Sequence, residues 1–587
     1  MRLFIRFRKT CLLATGLLWF AGLAAFAQVP SWRTVVPMDT GSSGYSWVQG
    51  SCTDANGDLY VVGQFNGTAT FGPTVLSSPV GYQLFVAKWE TASARFRWAV
   101  QGGAGSLSTT AAAVAVAGTR VYVTGFFSGP TARFGTTTLS HPSSGATTVH
   151  LVLARLTDAG NSAGFDWAVG TQTDANDIYP GAIAVNGPNV YVTGQFGSPV
   201  ATFGSLSLTN ANGGLYPTND SFVAKLTDTG TGATYDWLQQ AGGPANEAIT
   251  AVACHGSSVY IGGYFGSNVC ALGPYSLVQT SANDLFVAKI TDSGRSSSFA
   301  WVNRASCTGN SGVLALRAVA NEVYLGGFMC GTTAQFGPHV LTNAGPVLTS
   351  DAFVVKLTDD GLTSHYSWAQ QGGGVGNEQV SALAVQDSSV FITGPFDGRR
   401  ARFGSTTLVN TPPAPGNQGG TMSDVFVAQL PTRAGRFGWV QSAGGSGNEY
   451  PYTISAAGPQ LWIGGAAGSQ ARFGALTLGN YSGGGFMAAL GAAPLSSAGA
   501  ASQQWVPVVS PNPATGLVTV WLPAAAGSAA VALTLTNALG QVVLARSVRL
   551  LPVSTVAPLD VTGLASGVYS MRLTGGPQAA VCRLVVR

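Results

Sequence analysis

A chain of 587 residues with 9% charged residues, 79 glycines and a mean hydropathy of +0.25 excludes a disordered polyelectrolyte and fits several closely packed, β-rich units. The formal net charge is only +4, and Arg2, Arg6, Arg8 and Lys9 account for all of it, so the rest of the chain is neutral. That neutrality excludes the electrostatic footprint of a nucleic-acid or polyanion partner.

The four basic residues precede an apolar run from Cys11 to Phe26, too short to span a bilayer comfortably, and Ala25-Phe26-Ala27 forms a small-x-small cleavage signal. We read residues 1–27 as a secretory signal peptide, so the remainder is an exported protein and not an integral membrane protein. Six cysteines then remain: Cys52, Cys254, Cys270, Cys307, Cys330 and Cys582. An oxidising compartment permits local disulfides, Cys307 with Cys330 or Cys254 with Cys270. The cysteines do not recur with the repeat described next, however, and isolated buried thiols are an equal expectation. The sequence has no C-x-x-C or comparable spacing, so no metal and no cofactor is assigned.

The middle of the chain repeats. The pair Phe-Gly or a variant ends at Gly72, Gly135, Gly204, Gly273, Gly337, Gly404 and Gly474, at intervals of 63 to 70 residues, which gives seven copies. Short β-branched or aromatic runs, such as those at 113–116, 121–124 and 286–289, alternate with Gly, Asn, Asp and Ser clusters, as strands alternate with turns. Four strands per copy can be named: an Ala-Val-Ala-Val run, a Val-Tyr-Val-Thr-Gly run, a Phe-Val-Ala-Lys run and a run ending in Trp. Radial repetition of such units predicts a seven-bladed β-propeller over residues 28–491. The Ala-Thr-Phe-Gly segment predicts an added β excursion between the second and third strands.

Trp47, Trp98, Trp167, Trp237, Trp301, Trp368 and Trp439 also number seven, but Trp47 precedes the first copy and no closing Trp follows the last, which runs from Gln460 to Leu490. This predicts a ring closed by the N-terminal strand, with Ser46-Trp47-Val48 paired to 486–490 and no open edge left. The succession Val-Tyr-Val-Thr-Gly, Asp-x-Phe-Val-Ala-Lys-Leu and aromatic-x-Trp resembles the SBBP-type β-propeller repeats of secreted bacterial proteins, over roughly residues 44–491. The resemblance implies architecture and brings no catalytic residues with it.

Residues 492–504 form a small-residue linker. The segment 505–587 contains Pro511-Asn512-Pro513, an alternating run at 531–536, Leu539-Gly540-Gln541 and Leu564-Ala565-Ser566-Gly567-Val568-Tyr569, and it predicts a small Ig-like β-sandwich. These motifs resemble the type A C-terminal sorting domain read by the type IX secretion system of certain Gram-negative bacteria. The resemblance implies export, engagement of the type IX machinery by residues 505–587, and release or attachment at the outer cell surface.

Four acids stand before the innermost strand of their copies: Asp177, Glu247, Glu378 and Glu449, each after an Asn. One reading makes them a ring around a channel mouth that binds a cation or sugar hydroxyls. The other makes them turn and strand-entry residues, and we favour it, because a site adapted to one ligand does not need the same residue on four blades. The run from Asp54 to Asp58 has Phe65 where a calcium loop needs Glu, so a hairpin turn is expected there. Lys88, Lys225, Lys289 and Lys356, with Asp220, Asp284 and Asp351 a few residues earlier, read as solvated strand residues. The insertions at 210–219 and 411–421 are where a variable recognition face is expected.

With no catalytic constellation in the sequence, the expected function is a secreted or cell-surface binding or structural module, not an enzyme. Its ligand would be extracellular, a glycan or a protein. The alternative is a glycan-active hydrolase or lyase using channel carboxylates. Two inward carboxylates about 5–9.5 Å apart in a deep pocket would favour it, and a narrow channel lined by Ala, Val and Gly would favour binding.

Overall fold

The computed structural model describes residues 29–587 except 39–43, 142–147, 172–177, 213–217, 412–421, 469, 479–483, 492–507, 511, 523–529, 538–539, 550–554 and 575–579. The signal segment, the linker and Asp177 lie outside the described residues. Every regular element among those described is a β-strand. The chain divides into two compact units, Met1–Pro494 and Leu495–Arg587.

The first unit repeats one antiparallel sheet seven times. Sheet three shows the pattern: Ile178–Asn186, Asn189–Phe196, Asp220–Asp228 and Ala233–Gly242 pair in chain order. Along its second strand Val190, Tyr191 and Val192 are all buried, although successive side chains point to opposite faces, because each face packs on a neighbouring sheet. The excursion is a short hairpin, Val200–Phe203 with Leu206–Thr209. The matching hairpin of sheet four, Val269–Leu272 with Tyr275–Val278, extends the outer strand of sheet three through Ala241↔Leu272 and Gly242↔Ala271.

The hairpin also explains two recurring motifs. Phe203 inserts between Phe222 of the third strand and Tyr235 of the fourth, with ring centroids 4.7 and 5.6 Å away. Gly204 then turns the chain at φ +61°, a conformation that favours glycine, with the Tyr235 ring 3.4 Å from where a Cβ would stand. Phe-Gly and aromatic-x-Trp are therefore two sides of one contact.

Seven apolar clusters lie between consecutive sheets. The last of them joins sheet seven to sheet one, with Trp462, Met487 and Ala489 against Val48, Val61 and Phe85. The first strands likewise pack in order, and Tyr450–Ala457 of sheet seven returns to Ser46–Thr53 of sheet one. There the Ser51 hydroxyl lies 2.7 Å from that of Thr453 and 2.8 Å from that of Ser455.

The strand that completes sheet seven is not the one expected. Ser46–Thr53 pairs with Leu59–Phe71 as the first strand of sheet one, and Trp47 lies opposite Gln64, 38% exposed. Sheet seven is completed by Ser31–Pro37, which runs antiparallel to Gly484–Gly491 from Ser31↔Gly491 to Pro37↔Phe486. Counting Trp residues missed this strand because Thr34 occupies the register place of the outer Trp. Trp32 occupies that of Tyr235 and packs edge-on against Phe473 at 5.0 Å.

In the second unit, one sheet holds Val508–Ser510, Leu517–Leu522 and Thr555–Asp560, and another holds Val542–Arg549, Ala530–Thr536, Gly567–Thr574 and Ala580–Val586. They share one core, to which alternate residues point: Val518 and Val520 from the first, Leu533, Leu535, Tyr569, Met571 and Leu573 from the second.

Candidate functional site

Three sets of polar side chains organise the first unit, and the clearest spans the junctions between sheets. The second strand supplies a Tyr, the third a Lys or Arg and the fourth a Trp, all converging on one Asp of the next sheet. Asp158 accepts hydrogen bonds from Tyr60 Oη at 2.6 Å, Lys88 Nζ at 2.9 Å and Trp98 Nε1 at 3.0 Å. Asp228 takes Tyr122, Arg155 and Trp167, and Asp292 takes Tyr191, Lys225 and Trp237. Asp359 takes Tyr260 at 2.6 Å, Lys289 at 2.7 Å and Trp301 at 3.0 Å. Burial alone would raise the pKa of Asp158, but the bonds from Lys88, Tyr60, Gly160 and Trp98 hold it below the usual carboxylate range.

The lysines are thus not solvated strand residues. Lys88, Lys225 and Lys356 are buried, and the stem of each carries its charge to an acid set by the neighbouring packing. For Lys88, Lys225 and Lys289 that acid is Asp158, Asp292 and Asp359, not the earlier Asp220, Asp284 or Asp351, while Lys356 pairs with Glu322 of its own sheet. A signal for these acids was present: Asp158, Asp228, Asp292 and Asp359 each stand in a Thr-Asp-x-Gly run at the end of the third strand. The Gly of each run takes a positive φ, and its N–H returns to the carboxylate, as from Gly160 at 2.8 Å.

The candidate acids form the second set, at the other end of the junctions. Glu247, Glu378 and Glu449 are fully buried. Each donates its backbone N–H to the residue before the third strand of the preceding sheet or to that strand's first residue: Asn219 at 2.8 Å, Ser350 at 2.7 Å and Ser423 at 2.7 Å. Their carboxylates accept backbone N–H groups, from Ser267 at 3.1 Å, Gly374 at 2.9 Å and Gly445 at 2.8 Å respectively. Burial pushes their pKa values up, to about 7 for Glu247 and about 8 for Glu378 and Glu449, with smaller contributions from Asp220, Asp351 and Asp424. Glu378 Oε1, Asp351 Oδ1 and Asp424 Oδ1 lack partners among the described residues.

Asp220, Asp351 and Asp424 also anchor the loops before them, through the backbone N–H groups of Ala211, Ala344 and Thr411 at 2.8 to 2.9 Å. The two insertions thus leave from equivalent, fixed points, although 213–217 and 412–421 lie outside the described residues. Asp54 closes a turn, accepting the N–H groups of Asn56 at 2.9 Å and Asp58 at 3.0 Å.

The third set borders two cavities. One, of about 190 Å³, is walled by the first strands of all seven sheets and includes Gly50, Ala113, Gly181, Ala251, Ala315 and Thr453. None of Glu247, Glu378 and Glu449 is among the described residues that border it. The other, of about 340 Å³, lies between sheets six and seven against Phe391, Trp439, Gln460 and Leu490. The third strand of sheet seven ends at Gly491 in the described residues, and Trp439 Nε1 has no acceptor among them.

All six cysteines are free, so neither local disulfide forms, and burial pushes the thiols of Cys52, Cys254 and Cys307 up to about 12. Among the described residues no three His, Cys, Asp or Glu side chains are grouped to hold a metal. No helix among them is long and apolar enough to cross a membrane.

In the second unit the motif residues hold the ends together. Asn512 donates to Arg583 O at 2.8 Å and accepts from Val585 N at 2.9 Å, and Tyr569 Oη donates to Ala565 O at 2.6 Å.

Comparison with known proteins separates the two units. A family model described as "Secretion system C-terminal sorting domain" matches residues 508–587. No curated protein matches the chain. Among solved structures, a protein of unknown function from Dyadobacter fermentans is 9% identical with a TM-score of 0.36, covering 79% of this chain and 100% of its own. The Bombyx mori GH32 beta-fructofuranosidase BmSUC1 is 7% identical, with a TM-score of 0.25, 69% of this chain and 86% of its own covered. Dimeric latent PorU from Porphyromonas gingivalis is 8% identical, with a TM-score of 0.14 and coverages of 69% and 32%. Similarities at that level carry no argument about activity. The second unit is a type IX sorting tail, which marks the chain for secretion to the cell surface or beyond it.

Proposed function

We propose that residues 28–491 form a seven-bladed β-propeller of the SBBP type. It acts as a secreted or surface-displayed binding or structural module with no chemistry of its own, delivered by an Ig-like sorting domain at residues 505–587 after removal of a signal peptide at 1–27. The return of packing from sheet seven to sheet one carries the architectural part. The functional part rests on the central cavity, where the described bordering residues other than Gln49 and Arg317 are small, apolar or hydroxylic and none is a carboxylate. Glu247, Glu378 and Glu449, which a glycan hydrolase or lyase would need at the channel, are taken up by backbone N–H groups inside the junctions. The ligand on this reading is a glycan or a protein met outside the cell.

Deleting residues 505–587 should leave the protein in the periplasm, read by fractionation and surface proteolysis, and unchanged surface display would refute the export route. Residues 28–491 applied to a glycan array and to cell-surface pull-downs should retain a ligand without altering it. Release of sugar from a retained glycan would instead establish the enzyme.

A further inference from the structure

The cavity walled by the seven first strands contains one charged side chain among the described residues that border it, Arg317 of Ser311–Val319. Its register place, opposite Tyr324, is held elsewhere by small residues: Ala115, Ala184, Ala253 and Ala384, with Cys52 and Ser455 completing the set. Successive first strands lie close together there, so the gap between sheets accepts a methyl or hydroxymethyl group and not a guanidinium. Arg317 therefore leaves the gap and is accessible within the cavity.

The guanidinium is poorly satisfied. Nη1 donates to the carbonyl of Leu316 at 2.9 Å, and Arg317 takes part in no ion pair among the described residues. The surrounding strands disfavour its charged form and lower its pKa although the side chain is exposed to the cavity, and Cys52 is in electrostatic range of it. Arginine stays protonated, so the cavity holds a positive charge with no counter-charge among the described residues.

We propose that this cavity binds a small oxyanion, a phosphate or a carboxylate, with Arg317 as its charged anchor. The planar guanidinium presents a fork of donors that matches two oxygens of a carboxylate or phosphate. A volume of about 190 Å³ suits a small molecule and not a polymer. The proposal rests on the arrangement of the first strands and is independent of the export route.

The test uses the purified full chain, with inorganic phosphate and lactate as probes and sodium chloride at matched ionic strength as reference. Calorimetric titration should show saturable binding of phosphate, lactate or both. The Tm should rise with the logarithm of the concentration of the bound probe, and chloride should do neither. Binding of one probe alone identifies the class. Arg317→Met should weaken binding about tenfold or more, and Arg317→Lys should retain part of it. Absence of saturable binding by both probes in the unaltered chain, a Tm rise matched by chloride, or an Arg317→Met chain that binds as tightly as the original would overturn the proposal. Should Arg317→Met not fold, Arg317→Lys and the chloride comparison decide, since a non-specific salt effect would leave the lysine chain unchanged.

Discussion

The junctions from sheet one to sheet five and those from sheet five round to sheet one are filled by similar apolar clusters, yet their polar anchors differ. In the first group an Asp of the next sheet takes Tyr, Lys or Arg, and Trp. At the fifth-to-sixth junction Trp368 Nε1 donates to the backbone carbonyl of Thr432 at 3.0 Å, and Lys356 turns back to Glu322. At the seventh-to-first junction hydroxyl contacts and the Trp89–Trp462 pair, 5.8 Å apart, stand instead. Non-directional burial thus suffices to join sheets, and the acid anchor adds orientation where it occurs.

The largest way to break this contrast is Asp359→Ala, which strands the Lys289 charge and two buried donors. It should lower stability by about 3–5 kcal/mol, read as a fall in Tm. Thr432→Ala at the matching place should change little, about 0.5 kcal/mol or less, because the backbone carbonyl does the accepting there. Equal effects would show that the acid is no special anchor.

Trp32→Ala should follow at about 3 kcal/mol, since Trp32 fills the cluster between sheets six and seven from the closing strand. Trp47→Ala, at an exposed edge where the ring stacks on Tyr82 at 6.1 Å, should stay within about 1 kcal/mol. The reverse order would restore Trp47 as the closing residue.

The smallest effect is on pH dependence. Glu247, Glu378 and Glu449 bind a proton more tightly folded than unfolded, so their stabilisation is complete below about pH 4.5. It declines as pH rises toward about 7 to 8, by at most about 1.4 kcal/mol per pH unit per group. The anchors Asp158, Asp228, Asp292 and Asp359 are depressed and act oppositely, losing their contribution as pH falls below the usual carboxylate range. Urea midpoints from pH 5 to 9 should fall with pH, and Glu378→Gln should flatten the slope. An unchanged slope would place the proton elsewhere.

Much of this was legible in the sequence. The seven copies, the four strands in each, the added hairpin and the sorting motifs follow from residue type and spacing, because strand alternation, turn glycines and a repeated aromatic contact are local and leave a mark in every copy. The Thr-Asp-x-Gly run was equally local, and its meaning lay in a partner some 60 to 100 residues earlier.

Tertiary structure alone decided which strand closes sheet seven, which acid each lysine meets, and that Glu247, Glu378 and Glu449 are buried and not facing a channel. These are choices between distant segments of nearly identical local pattern. Trp32 and Thr34 shift the aromatic place by one step along the strand, and only pairing with Gly484–Gly491 reveals it. Arg317 shows the same division: the sequence places an arginine in a strand of small residues, and the convergence of seven strands puts it in a cavity without a counter-charge.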